Sequence, residues 1–147
     1  MKNVITFVLA GILLLSACSA VEDIEVHEAW ARPTAQGNTA AAYFSLHNHT
    51  QNNDELIGAS SAIADMVEIH ESKMENDVMT MNMVSSIPLK AGDELTFEPG
   101  GLHVMLIGVK QELNVGDEFE LVLKFKNHAD ITVNVKVERD GGMGNNH

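Results

Sequence analysis

The stretch Glu118-Phe119-Glu120-Leu121-Val122-Leu123-Lys124-Phe125-Lys126 decides the fold class of this chain. Apolar side chains occupy every second position from Phe119 to Phe125, and most of the positions between them are charged. Successive side chains of a strand point to opposite faces, so this alternation predicts a strand with one buried face. Residues 130–138 repeat the alternation with one isoleucine and three valines, which predicts the hairpin partner of that strand.

Short segments of the same kind recur along the chain between turn-forming residues. The hydrophilic run 71–77 predicts a turn that joins segments 66–70 and 78–84 into a hairpin, and residues 87–93 predict a loop because they contain Pro88 and Gly92. No segment shows a helical period, and about nine short strands predict an all-β sandwich. The other predicted strands are 24–32, 39–46, 55–61, 65–70, 94–98 and 102–109.

The N-terminus predicts a processed and lipidated protein. Val4–Leu15 is an apolar run that is too short to span a bilayer and is typical of a signal-peptide core. It ends in Leu15-Ser16-Ala17-Cys18, which resembles a bacterial lipobox, although an ordinary signal peptide with a chance cysteine is the alternative. The expected parts are a signal peptide (1–17), a lipidated Cys18 with a short tether (18–23), a folded domain (24–138) and a flexible tail (139–147).

Composition and charge exclude several classes of function. The formal net charge is −12, which argues against a nucleic-acid partner because few cations are available to neutralise phosphates. Cys18 is the only cysteine, so once it is lipidated the chain has no disulfide and no thiolate ligand. Chemistry must then come from histidine, methionine, carboxylate or hydroxyl groups.

Methionine or histidine alternates with other residues in two segments of the chain. Met79, Met81 and Met83 share one face of a predicted strand, and His103 and Met105 share a face of another. Together with His70, these side chains predict that two imidazoles and at least two thioethers meet at one end of a sheet. Soft sulfur ligands without carboxylate or thiolate suit copper(I) better than other common metals.

Packing is the alternative interpretation of the methionines, because methionine often fills irregular gaps in a core. The opposite face of residues 78–84 carries Val78, Thr80, Asn82 and Val84, so periodicity alone does not decide which face is buried. We expect four other histidines to be surface residues or residues whose hydrogen bonds are satisfied: His27, His47, His49 and His128.

The joint spacing of His70, Met81, His103 and Met105 carries a family resemblance. It is the H-x10-M-x21-H-x-M pattern, and the chain resembles the periplasmic copper(I) chaperones called PCu(A)C. The likeness covers about residues 24–137, with flanking motifs at 28–33, 41–44, 67–70 and 99–106.

The resemblance implies a cupredoxin-like Greek-key β-sandwich that binds copper(I) through these four residues. Met79 and Met83, and His147 in the tail, are candidate auxiliary ligands. It further implies a chaperone outside the cytoplasm that delivers copper to cytochrome c oxidase subunit II or to another assembly chaperone. Such a protein would be anchored through Cys18 in the periplasm or cell envelope, and Ser19 favours the outer membrane if the cell has one.

Three other functions compete with a chaperone. A blue-copper electron carrier needs a cysteine thiolate in its copper site, and the one cysteine is assigned to the anchor. A metal-dependent hydrolase needs carboxylate or additional histidine ligands and a positioned acid or base, so we expect no enzyme. A lipid-anchored β-sandwich that binds partners without metal, with its methionines buried, is the remaining alternative.

Overall fold

The computed structural model describes residues 23–139, which form ten strands. The alternating segments become strands because each can bury one row of side chains while its backbone pairs with neighbouring strands. The strands are β1 (Ile24–Ala31), β2 (Ala40–Asn48), β3 (Asp54–Ser60), β4 (Ala64–Glu75), β5 (Val78–Met83), β6 (Ile87–Leu89), β7 (Glu94–Phe97), β8 (Leu102–Val109), β9 (Glu118–Phe125) and β10 (Ile131–Val137).

The strands form one continuous hydrogen-bonded ladder in the order β5-β4-β8-β7-β2-β1-β10-β9-β3-β6, and β8 also pairs with β2. All pairs are antiparallel except β1 with β10 and β7 with β8. The ladder encloses one core, to which β4 and β8 contribute Ile69, Val104 and Leu106 and the opposite half contributes Leu121 and Val135. The predicted all-β sandwich is confirmed.

The two strands that decided the fold class have the predicted pattern. Buried and exposed positions alternate along β9 and β10, and the two strands are antiparallel partners. The prediction that residues 102–109 form a central strand is confirmed as well, since β8 pairs with β4, β2 and β7.

Two local predictions were wrong. Residues 87–89 are strand β6 rather than loop; Ile87 and Leu89 are buried, and Pro88 is tolerated because β6 lies at an edge of the ladder. The turn predicted at 71–77 is only Asn76 and Asp77, whose φ angles of 50° and 63° are those of a two-residue type I′ turn. The β4–β5 hairpin itself is confirmed, but β4 continues to Glu75.

Candidate metal centre

Strands β5, β4 and β8 are neighbours, and their register places all four predicted ligands on one face. His70 of β4 lies directly opposite Met83 of β5 on one side and opposite His103 of β8 on the other. Directly opposite residues of an antiparallel pair share a face, as do residues two positions apart on one strand. Met81 and Met105, each two positions from one of these residues, therefore belong to the same face, which we call the ligand face.

The ligand face is the outer face of this part of the ladder. Ile69, Val104 and Leu106 alternate with the ligand positions and are buried in the core. The core side chains therefore fix the orientation of the strands, and they force the histidines and methionines to the other side.

The two histidines are close together and differ in their environment. Their ring centroids are 6.0 Å apart. His103 is buried, and its Nδ1 lies 3.0 Å from the carbonyl oxygen of Gly101. A carbonyl can only accept, so His103 Nδ1–H donates this bond and the neutral ring keeps its lone pair on Nε2.

His70 is oriented by a carboxylate on its own strand. Its Nε2 lies 2.7 Å from Oε2 of Glu68, while its Nδ1 is buried without a hydrogen-bond partner among residues 23–139. An ionised Glu68 can only accept, so Nε2 carries the proton and the lone pair of the neutral ring is on Nδ1. A buried nitrogen that no protein group satisfies is the kind of atom that a metal ion would satisfy.

The methionines of the β4–β5 hairpin are exposed, which contradicts the packing interpretation. Met79, Met81 and Met83 have 55%, 53% and 65% of their surface accessible, so they are not core residues. Met83 lies opposite His70, whereas Met81 lies opposite Ser72, one step further towards the hairpin turn. Met105 is partly buried and lies opposite Glu68.

Sequence reasoning missed two further methionines on this face. Met66 and Met74 occupy alternate positions of β4 on the same side as His70, and both are exposed. Met66, His70 and Met74 are separated by four positions each, so they share a face if one strand includes all three. This spacing could have revealed the two methionines, but the strand was predicted to end at His70. Every methionine within the described residues therefore lies on the ligand face: Met66, Met74, Met79, Met81, Met83 and Met105.

Some predicted features lie outside residues 23–139. These are the signal peptide, the lipobox with Cys18, the tether up to residue 22 and the tail from residue 140, which includes His147. Within residues 23–139 the structure contains no helix long and apolar enough to span a membrane.

The ligand face offers neutral, soft donors around two fixed imidazoles. One imidazole nitrogen is available on each histidine, and thioethers lie on both neighbouring strands. Thioether and imidazole groups bind copper(I) well and bind hard cations such as Mg²⁺ and Ca²⁺ poorly. Chemically, the face is suited to hold a soft monovalent ion at an accessible surface.

A family model described as "Putative lipoprotein LpqE-like" matches residues 24–137 of this chain. A protein of Leifsonia xyli subsp. xyli named "Putative lipoprotein Lxx21020" is 30% identical over 127 residues, covering 86% of this chain and 76% of the relative. "Uncharacterized protein RP573" of Rickettsia prowazekii is 36% identical over 132 residues, covering 86% and 71%.

Two solved structures with a similar fold are described as copper-loaded forms. The copper-bound PCuAC domain from PmoF2 is 28% identical with a TM-score of 0.67, and the match covers 82% of this chain and 97% of that one. The copper(I) form of DR1885 from Deinococcus radiodurans is 27% identical with a TM-score of 0.57, covering 82% and 83%. The cupredoxin-like fold and the resemblance to PCu(A)C domains are thereby confirmed.

Proposed function

Because this chain belongs to the LpqE-like lipoprotein family, we propose that it is a copper(I)-binding chaperone of the cell envelope that carries the ion to an acceptor protein. Two solved structures with this fold, one described as copper-bound and one as a copper(I) form, support copper binding. Both are more than a quarter identical to this chain in sequence, so the likeness extends beyond the shared fold.

We assign the copper(I) ligands to His70, Met81, His103 and Met105. The observation that carries this assignment is the register of β5, β4 and β8, which brings both histidines and the methionines to one face. The unpaired Nδ1 of His70 and the lone pair left on Nε2 of His103 supply the two nitrogen donors. Met83 lies opposite His70, so it is the first candidate to replace Met81 as a sulfur donor.

The chemistry of the donor atoms is the reason that we propose copper(I) rather than copper(II) at this site. Imidazole and thioether groups are neutral, so they leave the bound ion its full charge, and they favour monovalent over divalent copper. Met79 and Met83 extend the row of exposed thioethers along β5 on either side of Met81, with Met79 on the side of the hairpin turn. An acceptor can therefore take the ion by exchanging one ligand at a time, without unfolding of the domain.

The proposed location is based on the N-terminal sequence, and the proposed acceptor on the resemblance to PCu(A)C chaperones. A lipid on Cys18 would anchor the domain to a membrane of the envelope by a tether of residues 18–23, and Ser19 favours the outer membrane where one exists. The net charge of −12 attracts cations to the domain. The acceptor that we propose is the copper centre of cytochrome c oxidase subunit II, or another assembly chaperone.

Competition against a copper(I) chelator, with oxygen excluded, tests the binding site. The Met81→Ala, His103→Ala variant should bind copper(I) at least about 100-fold more weakly, because loss of an outer-shell partner alone costs 10–100-fold in metal affinity. Unchanged affinity of this variant would remove the proposal.

The matched control removes one methionine and one histidine elsewhere. Met66 lies four strand positions from His70, and His128 lies between β9 and β10. The Met66→Ala, His128→Ala variant should keep the affinity of the unmodified chain.

Delivery is tested separately by mixing the copper-loaded chain with the soluble domain of the oxidase subunit and analysing the copper in each protein after separation.

A further inference from the structure

A second cluster of metal-binding side chains lies on β1 and at the end of β2. Glu25 and His27 are two positions apart on β1 and share a face, and His49 follows the last residue of β2. Nε2 of His27 and Nε2 of His49 lie 3.2 Å and 3.3 Å from the same atom, Oε2 of Glu25. All three ligand atoms lie within 4.8 Å of one another.

These distances fit a single metal ion with little movement. Ligand bonds of about 2.0–2.1 Å to a first-row ion put neighbouring ligand atoms about 2.8–3.4 Å apart, for square-planar and tetrahedral geometry respectively. The two measured separations lie within this range. The remaining pair of nitrogen atoms, on His27 and His49, needs to close by at most about 2 Å, which rotation of an exposed side chain provides.

The backbone holds the two histidines in place around Glu25. His27 lies within β1, and the backbone N–H of His49 donates to the carbonyl oxygen of Asp23 at 2.9 Å. His47 lies opposite Glu25 across the β1–β2 pair, and its ring centroid is 3.8 Å from that of His49. His47 is thus a third imidazole within reach of the same ion.

The cluster is separate from the ligand face's copper(I) site. Ala41 of β2 lies opposite Met105, while His47 lies six residues further along the same strand. At about 3.3 Å per residue this is about 20 Å, so one ion cannot bridge the two sites. The cluster also contains no sulfur, and its carboxylate contributes a negative charge.

We propose that Glu25, His27 and His49, with His47 as an additional ligand, form a binding site for divalent copper. Imidazole nitrogen and carboxylate oxygen are the donors that suit copper(II), which prefers tetragonal N,O coordination. Divalent copper also binds such a site more tightly than zinc or the other first-row divalent ions. The site does not depend on the function proposed for the ligand face.

Electron paramagnetic resonance of the purified full chain tests the site, because copper(II) gives a signal and copper(I) gives none. One equivalent of copper(II) should give a tetragonal spectrum with nitrogen splitting from imidazole. The His27→Ala, His49→Ala variant should lose this spectrum and bind copper(II) at least tenfold more weakly. An unchanged spectrum and affinity in this variant would overturn the proposal.

Two further variants separate the sites. Glu25→Gln keeps the size of the side chain and removes its charge, and it should weaken copper(II) binding while leaving the copper(I) affinity unchanged. His70→Ala, His103→Ala removes the same number of imidazoles from the ligand face and should keep the copper(II) spectrum. If the spectrum disappears in that variant instead, copper(II) binds at the ligand face and the proposal is wrong. Glu25, His27 and His49 are exposed, so we expect the variants that replace them to fold like the unmodified chain.

Discussion

Replacement of Glu68 should weaken copper(I) binding although Glu68 is not one of the proposed ligands. Its carboxylate lies 2.7 Å from Nε2 of His70, and both side chains are mostly buried, with 26% and 15% of their surface accessible. The bond therefore fixes the ring orientation and keeps the proton on Nε2, which leaves Nδ1 free for the metal.

The magnitude follows from the strength of that bond. A hydrogen bond to a charged group contributes about 1.5–3 kcal/mol, and tenfold in affinity corresponds to about 1.4 kcal/mol. Glu68→Ala should thus bind copper(I) about 10–100-fold more weakly, in line with other outer-shell losses. Glu68→Gln retains a neutral acceptor and should lose about half of that free energy, which is a reduction in affinity of about 3–10-fold.

Competition with a copper(I) chelator measures both variants. Glu71→Ala is the matched control, because Glu71 follows His70 on the opposite face of β4 and its carboxylate pairs with Lys73 at 2.8 Å. It should leave the affinity unchanged. If Glu68→Ala also binds copper(I) as tightly as the unmodified chain, then Glu68 does not orient a ligand and the assignment of Nδ1 is refuted.

Three further predictions concern oxidation and stability. Peroxide treatment should oxidise the exposed Met81 to its sulfoxide and weaken copper(I) binding, and copper retention unchanged after treatment would contradict methionine ligation. Burial alone would raise the pKa of the Asp54 carboxyl, but backbone N–H donors of Glu55, Asn127 and His128 outweigh burial and lower that pKa overall. Asp54→Asn should therefore lower the free energy of unfolding at pH 7 by about 2 kcal/mol, as measured in urea titrations. The difference between the two proteins should shrink below pH 3.8, because the Asp54 carboxyl of the unmodified chain becomes protonated there. Equal stability at pH 7 would contradict this prediction. Burial would lower the pKa of His128, but hydrogen bonds to the Ala129 carbonyl and the Asp23 carboxylate raise that pKa overall. The protonated imidazole therefore stabilises the folded state fully below pH 6.5, and this contribution is lost as pH rises through the raised pKa. His128→Gln should accordingly cost up to about 1 kcal/mol at pH 5.5 and less at pH 8.5, and a loss that grows with pH would show that the sign is wrong.

The strands that could be predicted from sequence are those that bury one face. In β9, apolar residues at alternate positions leave no other arrangement that removes them from water, so the pattern determines the strand. The second half of β4 has no such pattern, because residues 71–75 extend beyond the core and are held by backbone pairing with β5. Strand β6 is three residues long and contains Pro88, so its composition predicts a loop even though β3 pairs with it.

The ligand set could be proposed from spacing, but its geometry could not. Alternation places Met81 with Met83 and His103 with Met105, yet the register that puts His70 opposite both Met83 and His103 is set by the core residues of β4 and β8. The role of Glu68 depends on a side-chain rotamer, which alternation does not specify. The cluster of Glu25, His27 and His49 brings together residues from two strands, and no contiguous motif marks it.

X-ray absorption at the copper edge of the chain loaded with one equivalent of copper(I) tests the central claim most directly. We expect two nitrogen and two sulfur scatterers around a reduced ion, with one sulfur lost in the Met81→Ala, Met83→Ala variant, which also removes the candidate replacement donor. A spectrum with nitrogen and oxygen scatterers only would mean that the exposed methionines do not hold the metal, and the chaperone function proposed here would then have no site.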